Sequence, residues 1–118
     1  MKKQKFGKRL VKTTRIPLPS ISDDVERYIV VGPIKTGEEL AMSKLAEEDD
    51  ISTEEVIELT KIAFRAIREW NLVDDDGNPL PTPRENPDVI LELYPYELEA
   101  LYEAFNQLGE RDLDVKKE

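Results

Sequence analysis

One amphipathic segment, residues 52–70, constrains the fold of this chain more than any other. It opens on Ser52-Thr-Glu-Glu55, in which the serine hydroxyl can accept a hydrogen bond from a backbone N–H three residues later, as in the capping box that begins many helices. Apolar residues then recur at steps of three and four: Val56, Leu59, Ile62 or Ala63, Ala66 or Ile67, and Trp70. This spacing predicts a helix over residues 53–70 that buries one face.

A second capping box, Thr36-Gly-Glu-Glu39, predicts a shorter helix over residues 36–47. Thr36 is the expected cap, and Glu39 can reach back to its backbone N–H. Three apolar side chains of this helix are available for burial, namely Leu40, Met42 and Leu45.

Two β-favouring segments precede these helices. Residues 9–17 contain four β-branched positions, and residues 28–31 read Tyr-Ile-Val-Val. Proline-containing turns at 17–20 and 32–33 end the two segments. We expect them to pair as an antiparallel hairpin, which needs packed helices for its stability.

Turn-forming residues divide the second half of the chain. Residues 71–81 are rich in Asp, Asn and Pro, and Gly77 permits a positive φ there. Asn86-Pro87 predicts the start of a short helix that ends before Pro95. A last helix follows from Pro95, with a left-handed stop expected at Gly109.

These elements predict an α+β fold, in which a short N-terminal β-hairpin precedes a mostly helical body of about four helices. We expect residues 1–8 to be a disordered basic tail, residues 9–109 a single compact domain, and residues 110–118 a charged C-terminal tail.

The residue types argue against catalysis. The chain has no His and no Cys, which removes the commonest general base, the commonest transition-metal ligand and any thiolate. No carboxylate lies in an apolar sequence context that would raise its pKa, and the five glycines form no phosphate-binding or dinucleotide-binding motif. We therefore expect a protein that is not an enzyme and has no catalytic residues and no cofactor.

The acidic turn Asp74-Asp-Asp-Gly-Asn78 resembles part of an EF-hand calcium loop but fails its spacing. With Gly77 at the sixth position, Leu72 falls at the first position and Pro83 at the twelfth, and neither side chain can bind calcium. The turn is better interpreted as a polar end to a helix, and no metal site is expected.

Charge is divided unevenly along the chain. Residues 1–15 carry seven basic and no acidic side chains, while the rest of the chain has 10 basic and 26 acidic ones. A solvated tail is the first interpretation, ahead of a contact for an acidic partner or a nucleic-acid arm, because the acidic body would repel phosphate. No stretch approaches the roughly 18 apolar residues of a membrane span, so a cytoplasmic protein without membrane contact is expected.

The aromatic residues are the best candidates for contact with a partner protein. Tyr94 and Tyr96 flank Pro95 at a helix junction, so we expect at least one of them to face water. Trp70, with Leu72 and Leu80 folded back against it, is a core candidate first and a partner-binding candidate second.

The stretch 70–81, Trp-Asn-Leu-Val-Asp-Asp-Asp-Gly-Asn-Pro-Leu-Pro, resembles a segment of the tail assembly chaperones of long-tailed bacteriophages. Members of that family show a similar W-N-L-x-D-x-D-G-x-P-L-P stretch after an amphipathic helix. The likeness extends more loosely over residues 10–108, where Thr82-Pro-Arg-Glu-Asn86 has one residue more than the family's T-x-E-N element.

The resemblance implies assembly in the host cytoplasm rather than chemistry. Family members bind the tape measure protein and recruit the major tail protein while the tail tube polymerises, and self-association is left open. Two alternatives remain at this point. They are a structural head–tail connector or tail completion protein, and a small nucleic-acid-associated regulator that uses the basic N-terminus.

Overall fold

Three antiparallel strands and a set of helices make up an α+β fold, as the sequence predicts. The computed structural model describes residues 12–21, 24–47 and 49–117, with side chains in the last helix described as far as Leu108. The order of the elements is β1 (Thr14–Pro17), β2 (Tyr28–Val31), α1 (Thr36–Glu47), α2 (Thr53–Ala63), a 3₁₀ turn (Phe64–Ala66), β3 (Ile67–Trp70), a 3₁₀ helix (Pro87–Glu92) and α3 (Pro95–Lys117).

The predicted pairing of the first two strands is confirmed, and a third strand joins them. Ile16 of β1 lies opposite Ile29 of β2, and β2 pairs on its other side with β3 in the order β1-β2-β3. The first strand begins at Thr14, so the predicted strand is too long at Lys12 and Thr13, and its residues 9–11 lie outside the described residues. The sheet is therefore larger than the expected hairpin, because β2 is its central strand.

The prediction of one helix over residues 53–70 is wrong in its last third. The α2 helix ends at Ala63, and the chain enters β3 after one 3₁₀ turn. The backbone N–H of Gly32 donates to the carbonyl of Ala66 (2.9 Å), and Ile29 lies opposite Trp70 across the ladder. The edge of β2 that does not face β1 thus forms hydrogen bonds with β3, and these bonds would be lost if the helix continued.

A β-bulge explains why the sequence pattern is misleading here. Val30 pairs with Glu69 and Val31 pairs with Ile67, so Arg68 is an extra residue on β3. Residues three apart in a regular strand face opposite sides, but the bulge turns both Ile67 and Trp70 into the core. A bulged strand therefore shows the same three-residue spacing as a helix.

The first helix begins at Thr36, and its capping residue lies one position earlier than predicted. The cap is Lys35, whose backbone N–H donates to Glu38 Oε1 (2.9 Å) and whose carbonyl accepts from the N–H of Glu39 (2.9 Å). Glu38 is buried in this role, and Leu40 is 65% exposed rather than buried. The predicted cap at Ser52 is confirmed, since its hydroxyl accepts from the N–H of Glu55 (3.1 Å).

The last helix packs through the aromatic side chains that the sequence places on one stripe. Phe64 stacks on Phe105 (5.1 Å between ring centroids) and lies against Tyr102 (5.5 Å), and Leu101 is fully buried. The predicted stop at Gly109 is wrong, because α3 continues to Lys117. A glycine within a helix costs only about 1 kcal/mol relative to alanine, so helix-favouring neighbours can carry the helix through it.

Trp70→Ala is expected to destabilise the protein by about 3–5 kcal/mol, since the indole is 8% exposed and its loss leaves a cavity. Urea unfolding followed by circular dichroism measures the change. Leu40→Ala, at an exposed site of α1, is the control and should change the free energy of unfolding by less than about 0.5 kcal/mol. Near-normal stability of the tryptophan variant would contradict its core role.

Gly32 and Gly37 are expected to respond oppositely to alanine. A Cβ at Gly32 would lie 2.4 Å from the Nε of Arg68, which crosses it, whereas a Cβ at Gly37 in α1 meets nothing within 4 Å. Gly32→Ala should destabilise by about 1–3 kcal/mol through overpacking. Gly37→Ala should stabilise by about 0.5–1 kcal/mol because alanine loses less backbone entropy in a helix. Equal effects of the two changes in urea unfolding would refute this account.

Candidate partner-binding surface

The segment 70–81 is attached to the domain at three consecutive residues. The indole Nε1 of Trp70 donates to the carbonyl of Leu80 (2.9 Å), which closes the segment on itself. The side chain of Asn71 accepts from the N–H of Tyr28 (3.0 Å) and donates to the carbonyl of Glu26 (2.8 Å). Leu72 is 1% exposed in the core. The amide of Asn71 thus continues the hydrogen bonding between β2 and β3 beyond the end of β3.

The acidic residues after Leu72 form a tight turn. Asp74 Oδ1 accepts from the backbone N–H groups of Asp76 and Asn78 (both 2.9 Å), and the N–H of Gly77 donates to the carbonyl of Asp74 (3.0 Å). Gly77 has a φ of +86°, as the sequence predicts. The turn follows a strand rather than the end of a helix, because β3 replaces the last part of the predicted helix.

Capping interactions define the chain from Thr82 to the start of the 3₁₀ helix, and an ion pair attaches that helix to α2. Thr82 and Glu85 bond each other reciprocally, with the N–H of Thr82 donating to Glu85 Oε1 (3.1 Å) and the N–H of Glu85 to Thr82 Oγ1 (3.4 Å). Asn86 caps the 3₁₀ helix as predicted, its side chain accepting from the N–H of Asp88 (3.2 Å). Asp88 then pairs with Lys61 of α2 (2.8 Å).

Tyr94 is the cap of α3 and is fixed at both of its ends. Its backbone N–H donates to Glu97 Oε1 (2.9 Å), and its hydroxyl donates to Asp75 Oδ1 in the acidic turn (2.9 Å). The rings of Tyr94 and Tyr96 are stacked, with centroids 6.0 Å apart and planes 11° from parallel. The two tyrosines are 49% and 54% exposed, and Leu91 nearby is 59% exposed. We call these three residues the tyrosine patch.

A cleft of about 330 Å³ lies beside the tyrosine patch. The acidic turn forms one wall and the residues around the start of α3 form the other. The cleft is lined by Val73, Asp74, Asp75, Leu91, Glu92, Leu93, Tyr94 and Glu97. Four of these are carboxylates, and none of the described residues in the lining is lysine or arginine.

A second concave feature is a groove of about 430 Å³ between α1, α2 and α3. Its lining is largely apolar and includes Met42, Leu45, Phe64 and Phe105. Among the described residues that line it, Asp49 is the one carboxylate. The groove therefore offers apolar contact rather than a set of groups for chemistry.

The sequence-predicted partner-binding residues divide into two groups. Trp70 and Leu72 lie in the core, and Leu80 is half-buried against it. Tyr94 and Tyr96 are exposed, as expected for at least one of them. Asp75, Leu91 and Glu92 also lie at this surface, and the sequence does not mark them as partner-binding residues. Asp75 contacts a residue 19 positions away, and no local pattern predicts such a contact.

Comparisons with known proteins give no match. No family model fits the chain, and no curated protein or solved structure is significantly similar to it.

Two kinds of feature are absent from the part of the chain that the structure describes. No group of three or more acidic side chains there is arranged to hold a metal ion. None of its helices is both long enough and apolar enough to cross a membrane.

The contact with Asp75 changes the acidity of Tyr94. The hydrogen bond to the carboxylate, together with its negative charge, raises the pKa of Tyr94 above the ordinary value of 10.0. Because folding raises this pKa, the contact contributes its full stability below pH 10.0 and loses it as the pH rises through the raised pKa. At neutral pH the tyrosine is therefore a neutral hydrogen-bond donor.

Asp75→Ala is expected to lower the pKa of Tyr94 toward 10.0, since it removes both the acceptor and the charge. A pH titration of the tyrosine ring signals by NMR measures the change. Asp76→Ala is the matched control, because it removes one carboxylate from the same turn without touching Tyr94. An unchanged pKa in the Asp75 variant would show that the hydrogen bond is absent in solution.

Proposed function

We propose that the protein is a non-enzymatic assembly factor that binds another protein through the tyrosine patch. More specifically, we propose that it is a tail assembly chaperone of a long-tailed bacteriophage. It would bind the tape measure protein in the host cytoplasm and recruit the major tail protein during tail assembly.

The observation that carries the proposal is the hydrogen bond between Tyr94 and Asp75. It joins the exposed tyrosines to the stretch 70–81, which is the stretch that resembles the chaperone family. Trp70, Asn71 and Leu72 attach this stretch to the core, so the aromatic pair is held in place before a partner arrives. A pre-ordered aromatic surface loses less conformational entropy on binding than a mobile one.

The small size of the tyrosine patch is compatible with a weak contact from which the partner protein can dissociate. Three exposed apolar side chains bury far less than the roughly 1,200–2,000 Å² of a stable interface, so the affinity that they supply is modest. An assembly chaperone needs such an affinity because tube subunits have to displace it from its partner. The apolar groove between α1, α2 and α3 could add area when a second partner is recruited.

Tyr94→Ala and Tyr96→Ala are each expected to weaken binding of the tape measure protein by roughly 30-fold, as for hot-spot aromatics, without loss of folding. Isothermal titration calorimetry measures the affinity, and circular dichroism checks the fold. Leu40→Ala is the matched control, since it removes an exposed apolar side chain from α1, outside the tyrosine patch. Wild-type affinity in both tyrosine variants would remove the patch from the interface.

Mass spectrometry of purified particles separates the chaperone role from a structural one. A tail assembly chaperone should be present in infected cells and absent from finished virions. Its stoichiometric presence in virions would instead identify a head–tail connector or a tail completion protein.

A further inference from the structure

The chain contains an internal example of how a tyrosine bound to a carboxylate can take a cation. On the outer face of the sheet, the hydroxyl of Tyr28 donates to Glu69 Oε2 (3.1 Å). The guanidinium carbon of Arg15 lies 4.0 Å from the centroid of the same ring. An arginine over a tyrosine ring is attracted by the negative face of the ring and by a nearby carboxylate.

The contact at Tyr28 has three parts: a tyrosine ring, a carboxylate that accepts from its hydroxyl, and an arginine over the ring. Tyr94 has the first two of them. Its hydroxyl donates to Asp75 as that of Tyr28 donates to Glu69, and its ring is about half exposed. Stacking on Tyr96 holds the ring of Tyr94 in one orientation, with about half of each tyrosine exposed. Among the described residues, no arginine or lysine lies over either ring. The described residues therefore provide the ring and the carboxylate at Tyr94 but not the cation.

The cleft beside the patch has the charge that would attract a cation. Asp74 and Glu97 already accept backbone hydrogen bonds, and Asp75 accepts from Tyr94. Glu92 is exposed at the lining and pairs with no described residue. Four carboxylates, with no lysine or arginine among the described residues of the lining, give a negative potential next to the aromatic surface.

We propose that the tyrosine patch recognises an arginine side chain in a segment of the partner protein. The guanidinium would lie over the exposed face of the Tyr94–Tyr96 pair, as that of Arg15 lies over Tyr28, and would pair with the carboxylate of Glu92. Arginine fits better than lysine because its planar group can stack on a ring and bond a carboxylate at the same time. This proposal rests on the proposed function only in assigning the patch to a protein partner.

NMR titration of the full chain with capped tripeptides tests the proposal. The probes carry arginine, lysine or citrulline between two glycines, and citrulline has nearly the shape of arginine without its charge. The arginine peptide should shift the ring signals of Tyr94 and Tyr96 saturably, and the lysine peptide should bind about 2–5-fold more weakly. The citrulline peptide should give no saturable shift. The ring of Tyr28, already covered by Arg15, should stay unchanged.

Two matched variants locate the cation. Glu92→Gln should weaken binding of the arginine peptide, whereas Glu99→Gln, which removes a carboxylate from α3 outside the cleft, should not. Equal shifts with citrulline, no shift at the two tyrosines, or equal effects of the two glutamine variants would each overturn the proposal. Ring signals that move on dilution of the protein alone would also overturn it, because a second copy would then occupy the patch.

Failure of the arginine proposal and failure of the chaperone proposal give different results. If the tape measure protein binds through Tyr94 but the arginine peptide does not, the arginine preference is wrong and the chaperone role stands. If the arginine peptide binds but the tape measure protein does not, the patch recognises arginine in a different partner and the chaperone role is wrong.

Discussion

The chain has to change from helix to strand between Ala63 and Ile67, and the rest of the fold depends on this change. The 3₁₀ turn buries Phe64, which becomes the surface on which Phe105 and Tyr102 of α3 pack. Beyond the turn, β3 forms hydrogen bonds with the second edge of β2 and completes the three-stranded sheet. A helix continued to residue 70 would leave that edge without partners and would carry Trp70 away from Ile29.

Trp70, Asn71 and Leu72 connect this core arrangement to a defined surface. Trp70 closes the segment by bonding Leu80, and Asn71 extends the ladder of β2. The acidic turn that follows is therefore held at a set distance from the start of α3. Asp75 can then bond Tyr94, which orients the exposed aromatic pair. The proposed interaction surface is thus built from the same contacts that stabilise the fold.

Features that depend on a few neighbouring residues were predictable. The cap at Ser52, the cap at Asn86 with Pro87 after it, the positive φ of Gly77 and the strand Tyr28–Val31 are all confirmed. Errors occur where a distant segment competes with the local pattern. The stretch 67–70 has helical spacing, yet pairing with β2 gives its backbone better hydrogen bonds. Of the candidate site, the exposure of at least one of Tyr94 and Tyr96 was predictable from Pro95 between them, but the contact of Asp75 with Tyr94 was not.

By itself, the sequence determined the residue chemistry and the local elements, because helix caps, turn residues and apolar spacing act within about four positions. It thereby set the α+β class and directed attention to the aromatic residues around Pro95. Only the tertiary structure decided that Arg68 is a bulge, that residues 67–70 form a strand, and that Asp75 reaches Tyr94. The physical reason is that a strand edge and a side-chain hydrogen bond can join residues of any separation, so their energies do not appear in any local pattern.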